Sequence, residues 1–227
     1  MTLQAQFESD IFHTSTGELV IKFLGHGSLW MEFKGLNIYA DPFGEVADYK
    51  LLPKADLVLV THEHLDHFDL QALSSIRIEK TILVLTQICA QQVKGGTVMS
   101  DGEEQKLAGI PIKSVPAYNL VNKRPSGEPF HPRGSGNGYI INFGGTSLYI
   151  AGDTENIPEM KSLKDIDVAF LPMNLPYTMT PEMVADAAKA FHPRILYPYH
   201  YGKTDPSKLV ELLKDEPGIE VRVRKMA

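Results

Sequence analysis

The run Thr61-His62-Glu63-His64-Leu65-Asp66-His67 constrains this chain more than any other stretch. It follows Asp56-Leu57-Val58-Leu59-Val60, a short apolar run of the kind that forms a buried strand. Three histidines and one aspartate therefore arrive within six positions, just past a strand's carboxyl end. Alternate side chains of an extended chain share a face, so His62 and His64 can address one ion while Glu63 points away. A helix is expected near Asp69-Leu70-Gln71-Ala72-Leu73, which puts Asp66 and His67 at the bend, able to serve a second ion. Imidazole and carboxylate without thiolate suit zinc, iron or manganese. The bland alternative is a polar helix-start loop with solvated histidines, but so dense a set of ligand types argues for a metal site.

The rest of the chain supplies a core large enough to hold such a site rigidly. At 227 residues, 43% hydrophobic and 22% charged, the sequence suits one globular domain spanning 1–227. Its formal charge of −6 argues against a general nucleic-acid binder. The single cysteine, Cys89, sits between Ile88 and Ala90 and reads as a small buried residue. Met1-Thr2-Leu3-Gln4-Ala5-Gln6 has neither a basic start nor an apolar core, so no signal peptide is expected. No apolar run approaches the roughly 20 residues of a membrane span. The expected location is therefore the cytoplasm, with no membrane partner and with a homo-oligomer left open.

Short strands with close turn signals dominate the first third: Leu19–Leu24, Leu29–Phe33 and Leu36–Ala40 read as an antiparallel meander. Further strands are expected at 81–85, twice within 103–118, and at 138–143, 146–150, 167–171, 195–199 and 219–223. Thr180-Pro181-Glu182 opens a helix with an N-cap and a first-turn proline, and Ala185, Ala188 and Phe191 form its apolar stripe. A last helix is expected from Asp205-Pro206. The loop from Leu120 to Asn137 exceeds the roughly 12–15 residues usual for structureless connections, which marks it as functional or disordered. One internal echo stands out. Asn37–Asp41 and Leu148–Asp153 both drive a strand into an aspartate, and each half holds a strand ending in histidine, at His62 and His200.

The motif His-x-His-x-Asp-His after a strand resembles the signature of the metallo-β-lactamase superfamily. That resemblance implies a four-layer αβ/βα sandwich, two mixed β-sheets flanked by helices. Asp153, in Gly152-Asp153-Thr154, matches the family's bridging aspartate, and His200 matches its last histidine. The family pattern assigns Asp66 and His67 to the second ion together with His200. The chain departs from that pattern after Val115-Pro116-Ala117, where Tyr118-Asn119 stands in place of the usual histidine. His131 is the expected replacement ligand, with Asn119 second. The runs Gly25-His26-Gly27-Ser28, Asp41-Pro42-Phe43, Pro116–Asn119, His131-Pro132, Gly136–Tyr139, Tyr177–Pro181 and His200-Tyr201-Gly202 resemble a subgroup of metal-dependent hydrolases related to the ascorbate-6-phosphate lactonase.

The expected cofactor is a pair of divalent ions, zinc first, with manganese, iron or nickel also compatible. Such a pair can lower the pKa of water from about 15.7 to about 7, which makes hydrolysis the expected reaction. Asp66 and Asp153 would orient the nucleophile and pass the proton to the leaving group. His26, Asn119, Arg133 and Tyr177 are the expected substrate contacts, and the Lys123-Arg124 to Arg133 loop could hold an anionic group. Asp41, before Pro42, is expected to hydrogen-bond a ligand histidine. His13 and His192 are read as structural. The leading expectation is a hydrolase of a small lactone, ester or phosphoester. A phosphodiesterase or nuclease, and a non-catalytic metabolite-binding descendant, are the alternatives.

Overall fold

The computed structural model describes residues 7–227, so the reading of Met1–Gln6 above lies outside the described residues. Among the described residues, fourteen strands form two seven-stranded sheets, each in simple chain order. The first holds β1 (Glu8–Thr14), β2 (Gly17–Gly25), β3 (Ser28–Phe33), β4 (Leu36–Ala40), β5 (Leu57–Leu59), β6 (Ile82–Leu85) and β7 (Thr97–Val98). The second holds β8 (Glu104–Leu107), β9 (Ile110–Ala117), β10 (Gly136–Phe143), β11 (Thr146–Ile150), β12 (Val168–Pro172), β13 (Ile195–Tyr199) and β14 (Glu220–Val221). In each sheet the first four strands are antiparallel and the last three join on in parallel.

The two sheets are therefore one strand program run twice, which gives the internal echo a physical basis. Asp41 and Asp153 follow equivalent strands, β4 and β11. The histidines do not match in this way. His62 follows β5, the fifth strand of its sheet, whereas His200 follows β13, the sixth of its own.

Alternation along the parallel strands builds the layers. Leu57 and Leu59 of β5 face the space between the sheets, as do Val168 and Phe170 of β12. Val58 and Val60 turn outward onto α1 (Leu70–Ile76) through Ala72, Leu73 and Ile76. Ala169 and Leu171 turn outward onto α2 (Pro158–Lys161), α3 (Pro181–Phe191) and α4 (Ser207–Leu213). Each fully buried Leu, Ile or Phe contributes about 1.5–3 kcal/mol relative to exposure. The result is an α/β sandwich of two mixed sheets with few helices, and no helix among the described residues is long and apolar enough to cross a membrane.

Local chemistry sets the helix ends. The Asp69 carboxylate accepts the N–H groups of Gln71 and Ala72 at the start of α1, and Thr180 accepts that of Met183 at the start of α3. The α3 stripe of Ala185, Ala188 and Phe191 is buried as its spacing requires. The sequence reading gives no range for β1, β7 or α2: β7 and α2 are only two and four residues long, and β1 is a mostly exposed strand with few apolar residues. Strand β10 begins at Gly136, inside the expected loop, and Cys89 is buried at the start of a 3-10 turn after β6.

Candidate metal centre

The carboxyl ends of β2, β4, β5, β11 and β13 meet at one edge of the sandwich, and the candidate residues stand on the turns that follow them. Three of these turns place a non-glycine residue in the left-handed region: His26 (φ 53°), Asp41 (φ 46°) and His200 (φ 47°). Such backbone costs on the order of 1–3 kcal/mol and persists where the surroundings over-determine it. At a fourth turn glycine is required. Gly152 has φ 65°, and a Cβ there would lie 2.9 Å from the Asn137 carbonyl and 3.0 Å from Thr61 Cβ. The sheets are tied at this edge by Asn137 N–H to the Thr61 carbonyl (2.8 Å) and Tyr139 O–H to the Val60 carbonyl (2.8 Å).

The histidine motif folds as its alternation implies. His62 and His64 come together, Nε2 to Nδ1 3.1 Å, while Glu63 lines a separate surface groove running from Phe43 to Gln92. The backbone then turns, Phe68 N–H to the His64 carbonyl at 2.8 Å, and this bend swings His67 back beneath the cluster. His131 arrives from the long loop to join His62 and His64. A second group gathers His26, Asp66, His67 and His200, and a third joins His62, His67 and Asp153. Within each group the ligand-type atoms lie within 4.8 Å of one another. Asp153 stands between the groups, Oδ2 3.3 Å from His131 Nε2, and Oδ1 3.5 Å from His67 Nε2 and 3.1 Å from His200 Nδ1. Asp66 Oδ2 lies 3.0 Å from His26 Nε2 and 3.4 Å from His200 Nε2.

Backing groups aim the rings. Asp41 is fully buried and takes His67 Nδ1 at 2.8 Å together with the N–H and hydroxyl of Thr61, both at 2.7 Å. The Thr61 hydroxyl proton is thus committed to Asp41, and its oxygen faces His62 Nδ1 at 3.0 Å. Carboxylate and hydroxyl partners of this kind fix ring orientation and tautomer. Thr61 escaped the sequence reading, since its hydroxyl matters only once Asp41 is beside it.

Electrostatics divide the two groups. Burial holds His62 well below the ordinary imidazole range, and the neighbouring His67 adds to that; burial and His131 likewise lower His64. Burial also acts against charge on His200, but Asp153 and Asp66 outweigh it and raise the ring to about 10. His67 is raised against the same burial by Asp153 and Asp41. Burial favours the neutral form of Asp66, yet hydrogen bonds from His200 and His26 leave it far below the carboxylate range. Asp153 is depressed likewise, by His200 and His67.

His67 Nε2, Asp153 Oδ1 and His200 Nδ1 are buried without any hydrogen-bond partner, although ion-pair distances connect them. An unsatisfied buried polar group costs about 1–3 kcal/mol, and three converge here. A cation between them would satisfy all three, so the donor set fits a divalent metal.

A cavity of about 340 Å³ opens onto the cluster, lined by His64, Asp66, His131, Asp153 and His200 and by Arg124, Phe130, Asn174 and Tyr177. Tyr177 thus reaches the cavity, edge-on to Phe130 with ring centroids 5.0 Å apart. Three expected substrate contacts, Arg133, Asn119 and His26, do not line the cavity and require correction. Arg133 does not line the cavity: its guanidinium pairs with Glu159 at 2.7 Å over the Tyr118 ring, and the cationic lining residue is Arg124. Asn119 is buried behind His131, its Oδ1 2.7 Å from His131 Nδ1, so it faces the ring's far nitrogen rather than an ion or a substrate. His26 touches Asp66 and His200 from the side. His13 and His192 stand apart, beside Glu18 and Glu216.

Comparison with known proteins agrees with this architecture. A family model described as "Beta-lactamase superfamily domain" matches residues 20–200. A UPF0173 metal-dependent hydrolase of Methanopyrus kandleri is 31% identical over 219 residues, covering 89% of this chain and 94% of the relative. A crystal structure of a protein from Parabacteroides distasonis, named there as a metal-dependent hydrolase, has a TM-score of 0.93 at 46% identity and covers 97% of this chain and 100% of its own. Igni18, a metallo hydrolase of Ignicoccus hospitalis, has a TM-score of 0.75 at 26% identity, covering 92% of this chain and 96% of its own. The chain belongs to the metallo-β-lactamase superfamily.

Proposed function

We propose that this metal-dependent hydrolase holds two divalent cations and cleaves a small ester, lactone or phosphoester with an anionic group. The observation that carries the reading is the convergence of the orphaned His67, Asp153 and His200 atoms beneath an open cavity. His62, His64 and His131 form one ligand set, and Asp66, His67 and His200 the other. Asp153, standing between them, would serve both sets. Bound there, the ions supply water acidified towards neutral pH and a positive field for the substrate's oxygen.

The chain's own residues do the rest. Asp66 is 38% exposed in its side chain and fixed by His26, so its free oxygen can orient the attacking water and take up its proton. The same carboxyl is positioned to return that proton to the leaving group. Asp153, 3% exposed, stays a spacer that keeps the two ligand sets in register. Arg124 stacks 5.3 Å over Phe130 and spends one N–H on the Phe130 carbonyl, leaving others for a phosphate or carboxylate. Phe130 and Tyr177 offer an apolar wall for the remainder of the substrate. Arg124 is the only lysine or arginine among the lining residues, which favours a small molecule over a nucleic acid held by several phosphates.

The test is metal-loaded protein against a panel of lactones, carboxylic esters, phosphomonoesters and bis-p-nitrophenyl phosphate. Turnover of an anionic lactone or monoester, abolished by chelation and restored by Zn2+ or Mn2+, is the expected result. Turnover confined to the diester, or none with any metal, would overturn it.

A further inference from the structure

Glu155 is fully buried two residues after Asp153, and none of the chemistry above uses it. Its Oε2 accepts the backbone N–H groups of Leu120 and Val121, each at 2.7 Å. Its Oε1 accepts the N–H of Asn122 at 2.7 Å and the Asn119 side-chain Nδ2 at 3.2 Å. One carboxylate thus gathers the start of the long loop around itself. Asn119 Nδ2 has a second acceptor in the Tyr177 carbonyl at 2.9 Å. With acceptors on that side, the amide nitrogen must face Glu155 and Tyr177, and the amide oxygen must face His131. That oxygen takes both the backbone N–H of His131, at 2.9 Å, and its Nδ1, at 2.7 Å. An oxygen there requires hydrogen on Nδ1. The lone pair of the neutral ring is then left on Nε2, which points into the cluster 3.3 Å from Asp153 Oδ2.

We infer that Glu155 and Asn119 are positioning residues which fix the tautomer and aim of His131 and so prepare the first ligand set. This chain thereby stabilises a ligand that comes from a long loop instead of from the strand end at Tyr118-Asn119. The inference rests on the metal reading for its purpose, but the tautomer itself exists without metal.

Two measurements test it. In metal-free protein labelled with 15N-histidine, long-range correlation spectra report which ring nitrogen carries hydrogen, the His131 signal being assigned by its loss in His131→Gln. His131 is expected as the Nδ1–H form in the wild type and as a mixture or the Nε2–H form in Asn119→Ala. Co2+ titration, followed by absorbance against a competing chelator, then reads affinity. Asn119→Ala is expected to weaken one of two bound ions by about 10–100-fold, the usual effect of losing a ligand's outer partner, and Glu155→Gln by about tenfold. If Glu155→Gln does not fold, Asn119→Ala carries the test, since it leaves Glu155 its three backbone partners. A folded Asn119→Ala protein that keeps Nδ1–H at His131 and wild-type affinity within about twofold would overturn the inference. Wild-type protein that shows the Nδ1–H form but takes up no Co2+ would support the relay and contradict the metal reading instead.

Discussion

Half-buried Asp10 and buried Asp153 each sit among opposite charges where the sheets meet, and only Asp10 has every oxygen partnered. Asp10 on β1 takes both terminal contacts of Arg224 Nη2 at 2.8 Å, Arg222 Nη1 at 3.3 Å and the Tyr197 hydroxyl. Every oxygen of that carboxylate has a partner, and the cluster simply ties β1 to the segment after β14. Asp153 faces His67, His131 and His200, yet its Oδ1 and two of the facing ring nitrogens lack hydrogen-bond partners. Fixed cations with several donors complete a structural pair, whereas imidazoles, which can lose their protons, leave room for a metal. Satisfaction of the polar atoms, more than the density of charge, separates the two clusters.

The largest test exchanges each acid for its amide. Asp153→Asn is expected to lose bound metal by more than about 100-fold in affinity, beyond the loss of an outer partner alone. Asp10→Asn should keep its metal and lose about 2–3 kcal/mol of stability, from hydrogen bonds to charged groups. Plasma emission analysis of desalted protein and urea unfolding of both variants check this. Asp10→Asn that released its metal would erase the distinction.

Titration sharpens the contrast within the site. His200, raised to about 10 in the metal-free fold, contributes stability that is fully present below its unfolded value near 6.5 and is lost as pH rises towards 10. Asp66 and Asp153, depressed, contribute stability present above about 4 and lost as pH falls through their folded values. Metal-free protein should therefore show a falling urea midpoint between about pH 6.5 and 10, and metal-loaded protein should not. Calorimetry in buffers of differing ionisation heat should find protons released at pH 7 on filling the set with His67 and His200. Filling the set with His62 and His64, which burial keeps neutral, should release fewer. Equal release from both steps would break the assignment.

Gly27→Ala probes the packing behind His67. Its Cβ would come within 2.8 Å of His67 Cε1, so a loss of about 1–3 kcal/mol is expected from overpacking, with weakened metal uptake. Thermal unfolding with and without metal measures it. The smallest effects belong to the loop arginines, one paired with an acid and one not. Arg133 is satisfied by Glu159, whereas Arg124 pairs with no acid among the described residues and donates to the Phe130 carbonyl. Arg124→Ala should raise KM for an anionic substrate about tenfold, as one charged hydrogen bond is worth about 1.5–3 kcal/mol. Arg133→Ala should stay within about twofold, as an exposed pair contributes about 0–1 kcal/mol.

Much of the fold was legible because the strands are short apolar runs between turn residues and two of the helices carry N-caps, at Asp69 and Thr180. The clustering of the histidine motif with Asp153 and His200 was legible because each ends a strand and because the family resemblance matches Asp153 and His200. His131 could be singled out only as a spare histidine where the family pattern leaves a gap. Asn119 was read on the wrong side of that ring, since sequence spacing does not say which nitrogen an amide will face. Arg133 and Arg124 are chemically equal in sequence, and Glu159, 26 residues downstream of Arg133, decides between them. Glu155 gave no signal at all: a lone acid after a strand usually faces solvent, and only the fold of the 119–122 segment buries it.

Anomalous diffraction from crystals grown with Mn2+ or Zn2+ tests the central claim most directly. Two peaks per chain are expected, roughly 3.5–4 Å apart, one among His62, His64 and His131 and one among Asp66, His67 and His200, with Asp153 between. A cluster without peaks, its histidines and aspartates paired only with each other and with water, would contradict it.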